Sequence, residues 1–139
     1  MLLAIDCSTS WVGLALYDGA QVTGETIWQT RNHHTVELAP AVDDLLKRCG
    51  LLPTDLSAVA AALGPGSFTS LRIGLAVAKG LALALRLPVA GVPTLDILAA
   101  AQPVRDLPLA AVIQAGRGRL AVGWYAPGPR GTWAAQGEP

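Results

Sequence analysis

The stretch LSAVAAALGPGSFTSLRIGLAVAKGLALAL, residues 56–85, decides how this chain is read. Leu56–Leu63 is a short apolar run that Gly64-Pro65-Gly66-Ser67 cuts sharply, so it predicts a strand despite its alanines. Thr69–Leu85 is too long for a strand and predicts a helix, ended by Leu87-Pro88. In that helix Arg72 and Lys79, then Arg86 just beyond, recur at two-turn spacing and define one narrow polar stripe. Every other direction is apolar, whereas a helix resting on a single sheet needs only one apolar face. Gly74, Ala78, Gly80, Ala82 and Ala84 are small enough for another helix to approach closely. Two arrangements answer this pattern: a central helix wedged between its own sheet and a neighbouring helix, or a docking face for a second chain.

Working outward, Leu2–Ile5 predicts a buried strand. Trp11–Tyr17 predicts a second strand, after the hydroxyl loop Cys7-Ser8-Thr9-Ser10. Asp18-Gly19 is a hairpin signal, so Gln21–Ile27 is expected antiparallel to the second strand. Val36, Ala39, Val42, Leu45, Leu46 and Cys49 recur at helical spacing and predict a first helix from His34 or Thr35 to Cys49, stopped by Gly50. Pro40 either kinks that helix or marks its first turn. Downstream, Val89–Val92 predicts a strand and Leu95–Gln102 a third helix capped by Thr94. Leu109–Gln114 and Leu120–Tyr125 predict two strands around a turn, with a short edge strand at Thr132–Ala135. The order β-β-β-α-β-α-β-α-β-β predicts an α/β fold: a mixed sheet, opened by a meander and joined by crossover helices.

Composition narrows the function. Of 139 residues, 52% are hydrophobic and 14% charged, with a formal net charge of zero. Soluble domains carry about 25% charged residues. The deficit implies a large core or a surface that another protein covers. Without a dense Lys/Arg cluster, any grip on nucleic acid is expected from another subunit. Cys7 and Cys49 form no metal-spaced motif and read as reduced, buried thiols. No targeting segment is evident and Arg72, Lys79 and Arg86 interrupt the longest apolar stretches, so no bilayer span is expected and the protein is placed in the cytoplasm.

Two loops could hold an anion. Asp6 ends the first strand ahead of Ser8 and Thr9, where hydroxyls and backbone N–H groups can gather. Gly64, Gly66 and Ser67 open a helix whose first N–H groups favour negative charge, with Ser67 or Thr69 as its N-cap. Each also reads as an ordinary turn, and neither fits a dinucleotide or Walker motif. His33 and Glu37 make half a metal site with no third ligand evident, so no metal is expected. The sequence carries no hydrolase signature.

Three segments carry a resemblance. Leu3-Ala-Ile-Asp-Cys-Ser-Thr-Ser10 with Val12-Gly-Leu-Ala-Leu16 resembles the first hairpin of the TsaB (YeaZ) family. His34-Thr-Val-Glu-Leu-Ala-Pro40 is similar to its first-helix motif. Gly64-Pro-Gly-Ser-Phe-Thr-Ser-Leu-Arg-Ile-Gly74, continuing Ala78-Lys-Gly-Leu81, is similar to its most distinctive block, and Val92-Pro-Thr-Leu95 extends it. The resemblance implies an actin-like ATPase domain of ribonuclease H-like fold with a mixed five-stranded sheet. Residues 1–106 would form the N-terminal lobe and 107–139 the start of a truncated second lobe.

It also implies a non-catalytic, cofactor-free subunit in the making of threonylcarbamoyladenosine in tRNA, which meets tRNA only through the complex. Its partners would be the catalytic paralogue TsaD and the ATPase TsaE, with a homodimer when alone and no membrane. Docking would use helices one and two, at Val36, Ala39, Leu71, Gly74, Leu75, Ala78, Leu81 and Ala82. The paralogue's two metal-binding histidines, one turn apart, correspond to His34 and Leu38, so the metal site is expected to be missing. Gln114-Ala-Gly-Arg117 stands where the family carries Asp-Ala-Arg. The alternatives are a nucleotide-binding kinase or ATPase half of the actin-like class and a glycoprotease-like peptidase.

Overall fold

The computed structural model describes residues 1–30 and 34–137. Strands β1 (Leu2–Asp6), β2 (Trp11–Tyr17), β3 (Val22–Gln29), β4 (Ala58–Ala62) and β5 (Val89–Val92) form one sheet in the order β3-β2-β1-β4-β5. β1, β2 and β3 pair antiparallel, and β4 and β5 add in parallel. This is the expected mixed five-stranded sheet. Helices α1 (His34–Arg48) and α2 (Phe68–Leu85) join its parallel part. Helix α3 (Thr94–Ala100) leads to a second sheet, β6 (Leu109–Gln114), β7 (Leu120–Pro127) and β8 (Trp133–Gln136), paired antiparallel in that order.

Alternation decides what each strand buries. Leu3 and Ile5 of β1, Val12, Leu14 and Leu16 of β2, and Val59 of β4 all point to one face of the large sheet and are buried. Helix α1 fills that face with Leu38, Val42, Leu45 and Leu46. Each such side chain contributes about 1.5–3 kcal/mol through removal from water. The helix ends as its glycine requires. Gly50 takes φ +68°. Its N–H reaches Lys47 C=O at 3.0 Å, and Leu51 N–H reaches Leu46 C=O at 2.9 Å. Pro40 lies inside the helix, not in its first turn.

Helix α2 lies on the same face. Only Ser70, Gly74, Ala78 and Ala82 of its 18 residues are buried. A Cβ on Gly74 would stand 3.0 Å from Cys7 Sγ and 3.1 Å from Cys7 Cβ, so the helix backbone rests almost on β1. Gly74, Ala78 and Ala82, assigned to a partner interface, face their own sheet. Small residues let a helix approach any surface, and this chain supplies one. Leu71, Leu75 and Leu81 flank that line half-buried, and Leu75 and Leu81 pack on the core. The helix is long and apolar enough to cross a membrane by length and composition, against the expectation that no stretch is. The fold lays it along the sheet.

Smaller differences have local causes. β4 begins at Ala58, because Pro53–Asp55 forms a 3-10 turn that leaves Leu56 in the connector. Ser67 holds the N-cap position of α2 but makes no side-chain cap; its Oγ pairs with Ser70 Oγ at 2.9 Å. Pro93, not Thr94, is the N-cap residue of α3. Thr94 Oγ1 instead accepts Gly64 N–H at 3.1 Å, and Thr94 N–H donates to Gly64 C=O at 2.8 Å.

The second sheet is covered by α3 on one side. Ala111 and Tyr125 are buried against Ala99. Tyr125 O–H donates to Asp96 Oδ1 at 2.7 Å. Burial, with that hydrogen bond and the Asp96 charge, pushes the Tyr125 hydroxyl up to about 12. On the other side Val112, Leu120, Val122 and Trp124 are exposed.

Two outcomes test this packing. Ala78→Trp should overpack the sheet contact and lower the urea midpoint by the equivalent of about 1–3 kcal/mol, whether or not any partner is present. The Tyr125 hydroxyl titrates higher folded than unfolded, where about 10 is usual. Its contribution is therefore fully present below pH 10 and fades as pH rises towards 12. In a Tyr17→Phe variant, absorbance at 295 nm should stay flat past pH 10 and rise only near 12.

Candidate functional sites: a helical face and a cleft between the sheets

The outer surface of α1 and α2 is the first candidate. Phe68, Arg72, Ala76, Lys79 and Leu83 are exposed along α2, spaced three or four residues apart and therefore on one side of the helix. Phe68 is 74% exposed and Leu83 83% exposed. Arg72 lies over the Phe68 ring, 5.2 Å from its centre. On α1, Val36 is 68% exposed and Ala39 is exposed beside it. The polar stripe expected at Arg72 and Lys79 does face water, yet it is interrupted by large apolar side chains. Of the eight residues assigned to docking, Val36 and Ala39 are open, Leu71, Leu75 and Leu81 half-buried, and Gly74, Ala78 and Ala82 enclosed. Phe68, Ala76 and Leu83 were missed. The helical period would have placed them, had the core-facing line been identified first.

The second candidate is the cleft where the two sheets approach. The β1–β2 loop and the start of α2 form one wall. Ser67 N–H donates to Ser8 C=O at 2.7 Å. Gly66 sits so close to Ser8 that a Cβ there would strike the Ser8 carbonyl oxygen. Ser8, Thr9, Ser10, Ser67, Thr69 and Ser70 line a cavity of about 460 Å³ whose far side is Ile113, Gln114 and Gly116. An adjoining cavity of about 620 Å³ lies between Gly64-Pro65-Gly66 and the β6–β7 turn, which presents Arg117 and Arg119. Gly116, Arg117 and Gly118 all take positive φ in that turn.

The candidate anion residues are thus divided. Ser8, Thr9 and Ser67 line the hydroxyl cavity, and Gly64 and Gly66 line the arginine side. Asp6 lines neither: its Oδ1 accepts Ser8 N–H at 2.8 Å, and it borders the opposite face of the large sheet. Thr9 Oγ1 is engaged with Trp11 N–H at 3.0 Å. Arg117 and Arg119 were not picked out as an anion pair, because only folding brings the second hairpin over the Gly64–Ser67 turn. The cleft thus offers hydroxyls in one cavity and, in the adjoining one, two guanidinium groups beside Gly64-Pro65-Gly66, where an anion can be held. Cys7, packed against Gly74, has its thiol pushed up to about 12 by burial and by the Asp6 charge, and is no nucleophile.

The pair His33 and Glu37, read as half a metal site, falls partly outside the described residues. His33 and the side chain of His34 lie outside the described residues. Glu37 Oε2 accepts Trp28 Nε1–H at 3.1 Å, and Leu38 is fully buried in the core. Among the described residues, no three of His, Cys, Asp and Glu gather as metal ligands.

Comparison with known proteins adds the family. A model described as TsaD, tRNA N6-adenosine threonylcarbamoyltransferase, matches residues 26–129. The tRNA threonylcarbamoyladenosine biosynthesis protein TsaB of Bacillus subtilis is 40% identical over 124 residues, which is 89% of this chain and 54% of that protein. The Escherichia coli protein of the same name is 42% identical over 98 residues, 70% of this chain and 42% of its own. Among solved structures, YeaZ from Pseudomonas aeruginosa superposes with a TM-score of 0.88 at 32% identity, over 99% of this chain and 64% of that one. The chain therefore spans about half the length of the curated relatives it matches.

Gly66→Ala separates contact from backbone strain at the cleft. It should cost about 2–4 kcal/mol in urea unfolding, since the loop must move off Ser8. Gly19→Ala, at φ +105° with open space around it, should cost only about 1 kcal/mol.

Proposed function

Since this chain belongs to the TsaB (YeaZ) family, within the wider family of the TsaD model, we propose that it is a non-catalytic subunit in the synthesis of threonylcarbamoyladenosine in tRNA. It acts in the cytoplasm by docking the catalytic paralogue TsaD through the outer face of α1 and α2, with TsaE joining the assembly and tRNA held by the complex. When alone, it pairs with itself through the same face. The observation that carries this is the exposed, largely apolar line on α2, with Phe68 and Leu83 mostly in water, together with the exposed Val36 on α1. A monomer gains nothing from such a face, and a partner can dehydrate it. Leu38 in the core, at the position the paralogue gives to a metal ligand, supports the non-catalytic role. Residues 1–106 then serve as the docking lobe, and 107–139 begin a second one.

The cleft supports a second reading, a nucleotide-binding half-enzyme, because Arg117 and Arg119 line a cavity with Gly64-Pro65-Gly66 that adjoins the hydroxyl-lined one. A peptidase would need ligands or a nucleophile, and the described residues bring neither together.

Co-purification decides between them. Val36→Glu with Leu83→Glu should lower the affinity for TsaD at least tenfold and leave the circular dichroism unchanged; undiminished co-elution would refute the docking face. Calorimetry with Mg-ATP should give no heat at millimolar nucleotide, and saturable heat would favour the half-enzyme.

A further inference from the structure

The alanines that end α3 do not fill the space they enclose. Leu95 and Leu98 carry the packing of this helix on the small sheet, and beyond them Ala99, Ala100 and Ala101 offer only methyl groups. Opposite them, the register pairs Tyr125 of β7 with Ala135 of β8, and alternation puts Trp133 on the same face as Ala135. Small residues facing two large aromatic ones leave a cavity of about 480 Å³, bordered by Gln102, Pro103 and Val104 of the segment after α3. Its volume is that of a small-molecule site, and it shares no lining residue with the cleft cavities. Its walls are held before anything enters. Tyr125 is buried, and its O–H is committed to Asp96 Oδ1. Trp133 Nε1–H donates to Gln102 C=O at 3.1 Å, which ties the indole to the segment after α3. Thr132 at the rim donates its hydroxyl to Pro129 C=O at 2.8 Å. Asp96 Oδ2 and the Gln102 side-chain amide have no partner among the described residues. Asp96 is the one charged residue lining the cavity, and among the described residues it forms no ion pair.

We propose that this cavity binds a primary alkylammonium group, with Asp96 Oδ2 meeting the charge and Ala99, Ala100 and Val104 receiving the aliphatic stem. A carboxylate with a free oxygen selects a cation, and the aromatic walls of Tyr125 and Trp133 favour one further. An ammonium brings three donors. Asp96 Oδ2, the Gln102 amide oxygen and the remaining lone pair of the Tyr125 hydroxyl are acceptors for them. A guanidinium forms its paired bonds with both oxygens of a carboxylate, and Oδ1 is already engaged by Tyr125. A hard metal ion needs several oxygen ligands, and one carboxylate lines this cavity. The methyl-lined wall suits methylene groups, which gain by leaving water. No lining residue belongs to α1 or α2, so the site stands or falls separately from the docking face.

The test follows the indole N–H signals of the four tryptophans by nuclear magnetic resonance, with Trp133 identified by the signal that Trp133→Phe removes. 1-Aminopentane should shift the Trp133 signal saturably at millimolar concentration, as a ligand of its size allows. 1-Pentanol should bind at least tenfold more weakly. Asp96→Asn keeps an acceptor for the Tyr125 hydroxyl and loses the charge, so it should weaken the amine at least tenfold with the circular dichroism unchanged. Ala135→Leu fills the cavity with Asp96 in place and should abolish the shift. Nα-acetyl-lysine methylamide separates the sources of the ammonium group. Tighter binding than 1-aminopentane marks a lysine side chain of another protein, weaker binding marks a free amine, and either order supports the site. Equal affinity for amine and alcohol overturns the proposal, and so does equal affinity of Asp96→Asn and the unsubstituted chain. A Trp133 signal that no amine moves overturns it as well.

Discussion

The approach of Gly66 to the carbonyl of Ser8 is the constraint on which the arrangement depends. A residue with a Cβ cannot stand there unless the loop moves off Ser8, and the Ser67 N–H to Ser8 bond follows from the same closeness. It fixes where α2 begins. With that point set, Gly74 falls over the end of β1, where Cys7 and Ile5 crowd the place a Cβ would take. Moving the turn outward by one side chain would lift the first half of α2 off the sheet. The buried line would open, and the exposed line would rotate with it.

Much of this was legible in the chain because three signals agreed: alternation in β1 and β2, the punctuating Gly-Pro-Gly, and a helix too apolar for one surface. Agreement of local signals is what makes a fold readable. The misreading of Gly74, Ala78 and Ala82 shows the limit. Small side chains record that something comes near, and they do not say whether it is the chain's own strand or a stranger. Asp6 was misgrouped for a related reason. Strand parity sends its side chain away from Ser8's cavity even though the two residues are neighbours in sequence. Arg117 and Arg119 belong to the cleft only because the second hairpin folds over a turn some 50 residues earlier, a relation no local pattern encodes.

The two faces of the large sheet answer different needs. One is dehydrated by the chain itself, with leucines from α1 and the small-residue line of α2. The other presents alanine and glycine, which cost little when wet, and concentrates its large apolar groups at β2 and β3. This distribution lets the described residues hold a complete core on one side while the other stays open.

The paired bonds between Thr94 and Gly64 have a mechanical consequence. Helix α3 is clamped to the small sheet by Tyr125 and Asp96, and its first residue is pinned to the turn that seats α2. Swinging the small sheet about the α3 entry would therefore tug on Gly64 and Gly66 directly. A ligand wedged between Arg117 and the Gly64–Gly66 turn would act as a lever whose fulcrum is Thr94, and its pull would arrive at the near end of α2.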